Sequence, residues 1–254
     1  MIVSAKKIAR GWTLVETLIT IAIVVVLAAI AIPVNKSIKA RAHRNQAISK
    51  LKSLGTALVS YTSEHNGRLP LEDSPGTDNW QTAADPANSE AWYNALPALV
   101  GAKPMGELAT NPRQMYEDSY PLYLPGAPYP SSDKKLGQPY FAIAMNSRLQ
   151  RKGDDGLKKA GTLSLIQDPH RTVAFLERGM PGDKKTNPGQ RGFDAGPKAN
   201  ARAFAARYNG KGLLIFIDGH VEMFAVSDLI NPAGTIKFPQ TGVVWTTDPD
   251  EDPN

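Results

Sequence analysis

One long apolar run near the start of the chain constrains the fold more than any other feature. From Thr17 to Val34 there are 18 consecutive residues without a charged side chain. With Trp12 to Val15 in front, the run reaches the roughly 20 residues that span a bilayer's hydrocarbon core. Glu16 interrupts it, and a carboxylate in such a helix persists mainly where a partner or a function compensates its charge. The sequence therefore predicts a membrane-length helix whose acid has a partner.

The residues around this run leave two interpretations open. Basic residues flank both ends, so charge fixes the orientation only weakly; they are Lys6, Lys7, Arg10, Lys36, Lys39, Arg41 and Arg44. One interpretation is a secretory signal peptide cleaved at Ala29-Ile30-Ala31. The other is a helix retained in the mature protein. Glu16 and the helical pattern that continues past the cleavage site favour the second.

The junction before the run carries a specific motif. Gly11-Trp12-Thr13-Leu14-Val15-Glu16, after a short basic leader, resembles the processing site of type IV pilins and type II secretion pseudopilins. The resemblance implies that prepilin peptidase cuts after Gly11 and methylates the new N-terminus at Trp12. It also implies that Glu16 pairs with the freed amino group of a neighbouring subunit. Trp12 departs from the Phe or Met that family members more often carry.

The resemblance and the local patterns together divide the chain. Residues 1–11 would be the prepilin leader and residues 12–34 a transmembrane and assembly helix, bent or locally melted at Pro33. Apolar residues at steps of three and four predict an amphipathic continuation over residues 35–67, with Asn66-Gly67 as its stop. A globular domain would cover residues 68–245, and an acidic tail residues 246–254.

The second half of the chain predicts strands. Apolar stretches lie at Tyr140–Met145 and Thr172–Leu176, and Asp218-Gly219 between two more predicts a hairpin with a two-residue turn. Residues 184–201 predict a long mobile loop. The expected fold class is α+β, with the long N-terminal helix packed on a C-terminal antiparallel sheet, as in pilins.

This half also resembles bacterial pseudopilin-like proteins of the H-X9-DG type, which end in such a hairpin. Asn209, Gly210, Asp218 and Gly219 match their pattern. Tyr208 stands where those proteins have a histidine, which argues against a histidine-dependent metal or catalytic role.

Composition narrows the functional classes. The chain has 254 residues and no cysteine, which excludes a disulfide framework and a cysteine zinc site. The formal charge of +5 is unevenly distributed: the leader holds three basic residues, residues 35–52 form a basic stripe with six, and residues 53–254 have a net charge of −3. Anionic lipid headgroups are a simpler partner for that stripe than nucleic acid.

The chain lacks phosphate-loop and nucleophile motifs, so no enzyme is expected. His220 and Glu222 are a possible metal pair on one strand face, but a solvent-facing hairpin position is the simpler interpretation of His220.

The sequence leaves open whether the chain binds calcium. Major pseudopilins of the family often bind it in a C-terminal loop, and the oxygen donors near this C-terminus are Asp248, Asp250, Glu251 and Asp252. A solvated tail is the alternative for the same segment. No other cofactor is expected.

The resemblance implies a structural function. Subunits would wait in the bacterial inner membrane with the globular domain in the periplasm. An assembly platform with its ATPase would then lift them into a fibre, either a periplasmic pseudopilus or a cell-surface pilus. Expected partners are other copies of the chain, prepilin peptidase, the platform and the lipid bilayer. The alternative is a single-span, membrane-anchored binding domain that does not polymerise.

Overall fold

The computed structural model describes residues 12–72, 79–131, 136–152 and 158–254. It separates into two compact units, one ending at Ala42 and the other covering His43–Asn254. Helix α1, Leu14–Glu64, contributes to both units. The predicted leader and the cleavage position Gly11 lie outside the described residues.

Helix α1 confirms the prediction of one long N-terminal helix. The helix continues through Pro33, so the loss of one backbone donor does not melt it there; a bend at Pro33 stays a prediction. The end of α1 is also as predicted. Asn66 and Gly67 have positive φ angles of 53° and 76°. The Gly67 N–H donates to the Thr62 carbonyl oxygen at 2.7 Å, which satisfies a free carbonyl of the last turn.

Among the described residues, no helix combines the length and the apolar character needed to cross a bilayer. The structure thus does not confirm the transmembrane assignment of residues 12–34.

The second half of α1 packs on the globular domain through one face. Leu51, Leu54 and Leu58 are almost fully buried, and they recur at the spacing that places side chains on one side of a helix. Phe175 and Ile215 of the sheet belong to the same apolar cluster. Burying each leucine contributes about 1.5–3 kcal/mol, so this face attaches the helix to the sheet.

The main sheet has five strands. In chain order the strands of the domain are β1 (Ile143–Asn146), β2 (Arg151–Lys152), β3 (Lys158–Lys159), β4 (Val173–Glu177), β5 (Lys198–Ala199), β6 (Lys211–Phe216) and β7 (Val221–Ala225). The spatial order is β5-β1-β4-β6-β7, with β2 and β3 paired separately. The β1–β4, β4–β6 and β6–β7 pairs are antiparallel, as predicted. Strand β5 is parallel to β1, so the prediction of a purely antiparallel sheet is wrong at this edge.

Short helices and a second apolar layer complete the domain. The helices are α2 (Trp80–Ala84), α3 (Trp92–Leu99) and α4 (Val226–Leu229). Because side chains alternate along a strand, Leu176 and Leu214 belong to a second buried cluster, which Trp245 completes. The sheet therefore carries a buried apolar layer on both faces.

Residues 184–201 form mostly loop, as predicted, and buried polar contacts join them to the domain; their mobility stays a prediction. The Arg178 side chain is 2% exposed, and its guanidinium donates to the Gly192 carbonyl oxygen. The side-chain amide of Gln190 is buried and donates to the Phe204 carbonyl oxygen. Buried polar groups require hydrogen-bond partners, so these contacts hold a segment that has no apolar pattern of its own.

Hydrogen bonds join the terminal segment 246–254 to the domain, although residues 250–252 and 254 are exposed to solvent, as a solvated tail would be. The Asn254 side chain accepts a hydrogen bond from the Ile236 N–H at 2.7 Å and donates to the Ile236 carbonyl oxygen at 3.1 Å. The Gln240 amide donates to the Glu251 carbonyl oxygen at 2.8 Å. These upstream partners hold the segment against the domain, and composition alone does not reveal them.

Two glycines allow α1 to approach the β6–β7 turn closely. A Cβ atom at Gly55 would lie 2.2 Å from the carbonyl oxygen of Gly219, far inside van der Waals contact. Gly219 has a positive φ of 88°, which an L side chain rarely adopts. Both positions therefore require glycine, and the turn rests directly on the helix backbone.

Gly55→Ala is expected to destabilise the protein by about 1–3 kcal/mol, because the added methyl group forces the helix and the turn apart. This range is net of the roughly 1 kcal/mol that alanine gains over glycine in helix propensity. The free energy of unfolding from urea denaturation, followed by near-ultraviolet circular dichroism, measures the effect. Gly242→Ala is the matched control, since nothing lies within 4 Å of a Cβ atom there. Equal stability of the two variants would contradict the close contact.

Candidate functional site: the first segment of helix α1

Residues 14–29 of α1, called here the apolar segment, expose apolar side chains around the helix. Ten large apolar side chains are each more than half exposed: Leu14, Val15, Leu18, Ile19, Ile21, Ile23, Val24, Val25, Val26 and Leu27. The last five are consecutive and cover more than one turn of 3.6 residues, so no polar face remains there. A helix that is apolar all round is stable only where other apolar groups surround it.

The polar groups of the apolar segment are satisfied within the helix. The Thr17 hydroxyl donates to the Thr13 carbonyl oxygen at 2.9 Å, and the Thr20 hydroxyl donates to the Glu16 carbonyl oxygen at 2.7 Å. These threonines therefore present their methyl groups to the surroundings without an unsatisfied hydroxyl. The segment suits an apolar environment despite its polar residue types.

Glu16 has a partner in its own chain, which sequence reasoning missed. Its Oε2 accepts hydrogen bonds from the Thr13 N–H at 2.9 Å and from the Thr13 hydroxyl at 2.8 Å. Thr13 Oγ1 in turn accepts from the Glu16 N–H at 3.3 Å. This is a capping box, in which each side chain satisfies a free backbone donor of the other residue. The Thr-x-x-Glu spacing before an apolar run was the sequence signal for it.

The cap leaves room for a second partner of Glu16. Both bonds from Thr13 end on Oε2, whereas a carboxylate offers about four acceptor positions on two oxygens. The capping box therefore fixes the carboxylate at the first turn of α1 without using all of its acceptor capacity.

Lys50, one of the six basic residues in 35–52, forms its contacts within the globular domain. The Lys50 ammonium donates to the backbone carbonyl oxygens of Asp118 and Tyr120 and lies 5.1 Å from the ring centre of Tyr123. Burial lowers the pKa of Lys50, and the nearby Asp118 carboxylate only partly opposes this shift. Lys50 thus anchors a loop to α1, in contrast to its predicted place in a lipid-facing stripe.

Asn209 and Gly210, the first two residues that match the hairpin pattern, form a tight turn. Asn209 and Gly210 have positive φ angles of 53° and 77°, and Tyr208 and Lys211 exchange backbone hydrogen bonds of 2.8 and 3.1 Å around them. This is the two-residue turn for which Asn-Gly is favoured. Tyr208 is buried, its hydroxyl donates to the Pro125 carbonyl oxygen at 3.4 Å, and burial raises its pKa. Tyr208 therefore stays neutral.

The turn at Asp218-Gly219 has three residues, so the prediction of a two-residue turn is wrong. Ile215 pairs with Val221 across the hairpin, and the Phe216 N–H donates to the His220 carbonyl oxygen at 3.0 Å, which leaves residues 217–219 in the loop. A two-residue turn of the Asn-Gly type needs positive φ at both central residues, and here Gly219 has it but Asp218 does not. The Asp218 side chain instead accepts from the N–H of residue 220 at 3.2 Å, which stabilises the wider turn.

Asp218 lies between two histidines. Nδ1 of His170 is 2.8 Å from one carboxylate oxygen, and Nδ1 of His220 is 2.5 Å from the other. Burial by itself raises the pKa of Asp218, but the hydrogen bonds from both histidines outweigh it and lower the pKa below its ordinary value. The pairing of His220 with Glu222 considered from the sequence missed His170, because 48 residues separate His170 from Asp218.

The acidic residues of the C-terminal segment do not join a comparable group. Within the described part of the chain, the potential metal ligands that converge are His170, Asp218 and His220. The Asp248 carboxylate accepts from the N–H of Asp250 at 2.9 Å, so it caps a local turn. Calcium binding by Asp248, Asp250, Glu251 and Asp252 stays a prediction.

Comparison with known proteins finds similarity over part of the chain. Across 55 residues, the chain is 47% identical to the type IV major pilin protein PilA of Myxococcus xanthus (strain DK1622). The match covers 22% of this chain and 25% of that protein, so the chain spans about a quarter of the length of the curated relative it matches. No protein-family model matches the chain, and no solved structure matches it. The similarity supports a pilin-like character.

Proposed function

We propose that this protein is a structural subunit of a type IV pilin-like fibre, held together by packing of the apolar segments of neighbouring α1 helices. The observation that carries the proposal is the all-round exposure of ten large apolar side chains in that segment. Packing among copies of the same helix would keep these side chains out of water, where burial of each is worth about 1.5–3 kcal/mol.

Glu16 has an alignment role in this proposal. The Thr13–Glu16 capping box holds the carboxylate at the first turn of α1, where the freed amino group of a neighbouring Trp12 can reach it. Attraction between the two charges grows as the surrounding dielectric falls, but their desolvation opposes it. The pair therefore sets the register of one subunit against the next more than it adds net stability.

Maturation and location are the finer parts of the proposal. The resemblance of residues 11–16 to the family's processing site supports four further steps. Prepilin peptidase would cleave after Gly11 and methylate Trp12. The subunit would then reside at the inner membrane, and an ATPase-driven platform would lift it into the fibre. The fibre would be a pseudopilus or a surface pilus. Its role is mechanical and requires no catalysis by this chain.

Glu16→Gln and Thr13→Ala separate the alignment role from the capping role. Glutamine can serve in a capping box but carries no charge, whereas Thr13→Ala removes the capping hydroxyl and keeps the charge. We expect Glu16→Gln to be cleaved normally and to enter mixed fibres at least fivefold less often than wild type, with Thr13→Ala close to wild type. Immunoblots of tagged variants in fibres sheared from cells that also make wild-type subunits measure the ratio.

Two outcomes would contradict the proposal at different levels. If Glu16→Gln enters fibres normally and Thr13→Ala does not, Glu16 serves only as a helix cap. If wild-type protein yields no sheared fibre and stays monomeric in membranes, the non-polymerising binding domain is the better account.

Replacing Gly11 by valine tests the maturation step. The bulky side chain should block close approach of the peptidase to the backbone, so mass spectrometry of membranes should show the uncut chain. Ala9→Val, two residues upstream, is the control and should give a mature chain that starts at Trp12. A mature Gly11→Val protein would refute cleavage at this position.

A further inference from the structure

We propose that His170, Asp218 and His220 bind a divalent transition-metal ion, with Zn²⁺ the best match. The site lies on the globular domain, outside the apolar segment, and does not depend on the proposed fibre role.

The three side chains converge from two parts of the chain. His170 precedes β4, whereas Asp218 and His220 belong to the β6–β7 turn. One ligand atom from each residue lies within 4.8 Å of the other two. Two imidazole nitrogens and one carboxylate oxygen are ligands that Zn²⁺ accepts, and three protein ligands leave a fourth position for water.

The backbone that carries these ligands is held in place. The Ile217 N–H donates to the Thr172 carbonyl oxygen at 3.0 Å, which joins the turn to the start of β4. The Thr172 hydroxyl donates to the Asp168 carbonyl oxygen at 2.7 Å, which fixes the loop that carries His170. On its other side, the turn rests on α1 through the contact of Gly219 with Gly55.

The histidine rings are also oriented. The His220 ring lies parallel to the Phe216 ring, with centroids 4.3 Å apart and an interplanar angle of 2°. The His170 ring stacks on His220 at 4.5 Å. Both rings turn Nδ1 toward Asp218. Orientation of ligands before the metal arrives reduces the conformational entropy lost on binding.

Only a small movement would admit the ion. With metal–ligand distances of about 2.1 Å in tetrahedral geometry, ligand atoms lie about 3.4 Å apart. The present nitrogen–oxygen distances are 2.8 Å for His170 and 2.5 Å for His220. The His170 side chain is 75% exposed, and Asp218 and His220 are about a third exposed. These side chains can therefore separate, and an ion can enter from solvent.

The oxygen and nitrogen donor set argues for the zinc class over calcium. Calcium takes six to eight oxygen ligands, whereas imidazole suits zinc, copper and nickel. Two histidines and one carboxylate provide too few oxygens for calcium. Two histidines and one carboxylate can bind zinc without a cysteine ligand, and this chain has no cysteine.

Zinc titration of the full chain tests the proposal. The protein is prepared without a histidine tag, stripped of metal with a chelator, and titrated with Zn²⁺ by isothermal titration calorimetry. We expect one Zn²⁺ per chain with a Kd of about 10 μM or tighter. His170→Gln and His220→Gln should each weaken binding at least tenfold. His43→Gln is the matched control, because His43 is exposed and lies outside the cluster, and it should bind like wild type.

Two further measurements separate ligation from folding. The metal-free His170→Gln protein should melt at the wild-type temperature, because its side chain is largely exposed. Co²⁺ in place of Zn²⁺ should give visible absorption bands in wild type that His220→Gln lacks. Absence of saturable Zn²⁺ binding by wild type, or equal affinity of wild type, His170→Gln and His220→Gln, would overturn the site and leave a hydrogen-bonded cluster only.

Discussion

The lack of a polar face on residues 23–27 of α1 is the constraint on which the account of this protein depends. An exposed apolar surface around a whole helix is unfavourable in water, and the described residues leave the large side chains of the apolar segment more than half exposed. Further along α1, Leu51, Leu54 and Leu58 form one buried face. That part of the helix therefore needs apolar contacts on one side only. One helix thus combines a segment that needs apolar neighbours on all sides with a segment that completes a domain core.

The capping box changes how the acid at the start of this helix is understood. The proposed pairing between subunits would explain why a charge is tolerated there, but it would not explain how the carboxylate is held before a neighbour arrives. Thr13 supplies that function within the chain, through two hydrogen bonds to Oε2. The two roles are compatible, since the cap is local and the proposed pair is intermolecular. Glu16 would then act first in helix formation and later in subunit alignment.

Local patterns predicted the elements that depend on local physics. The three- and four-residue spacing of Leu51, Leu54 and Leu58 identified the buried face of α1, and Asn66-Gly67 identified its end. Features set by distant contacts were not predictable in this way. Arg207 and Glu177, 30 residues apart, form a buried ion pair at 2.8 Å, and no periodicity relates such positions. The convergence of His170 with Asp218 was missed for the same reason, whereas the Thr13–Glu16 cap had a recognisable local pattern.

Thiol protection in intact fibres tests the central claim most directly. The chain has no cysteine, so Val25→Cys places one thiol in the apolar segment, and Ser227→Cys places one at an exposed position of the globular domain. In fibres sheared from cells, a bulky water-soluble maleimide should label Ser227→Cys and leave Val25→Cys largely unlabelled, with both labelled after denaturation. Equal labelling rates in intact fibres would mean that the apolar segment is not covered by neighbouring subunits, and the account would be wrong.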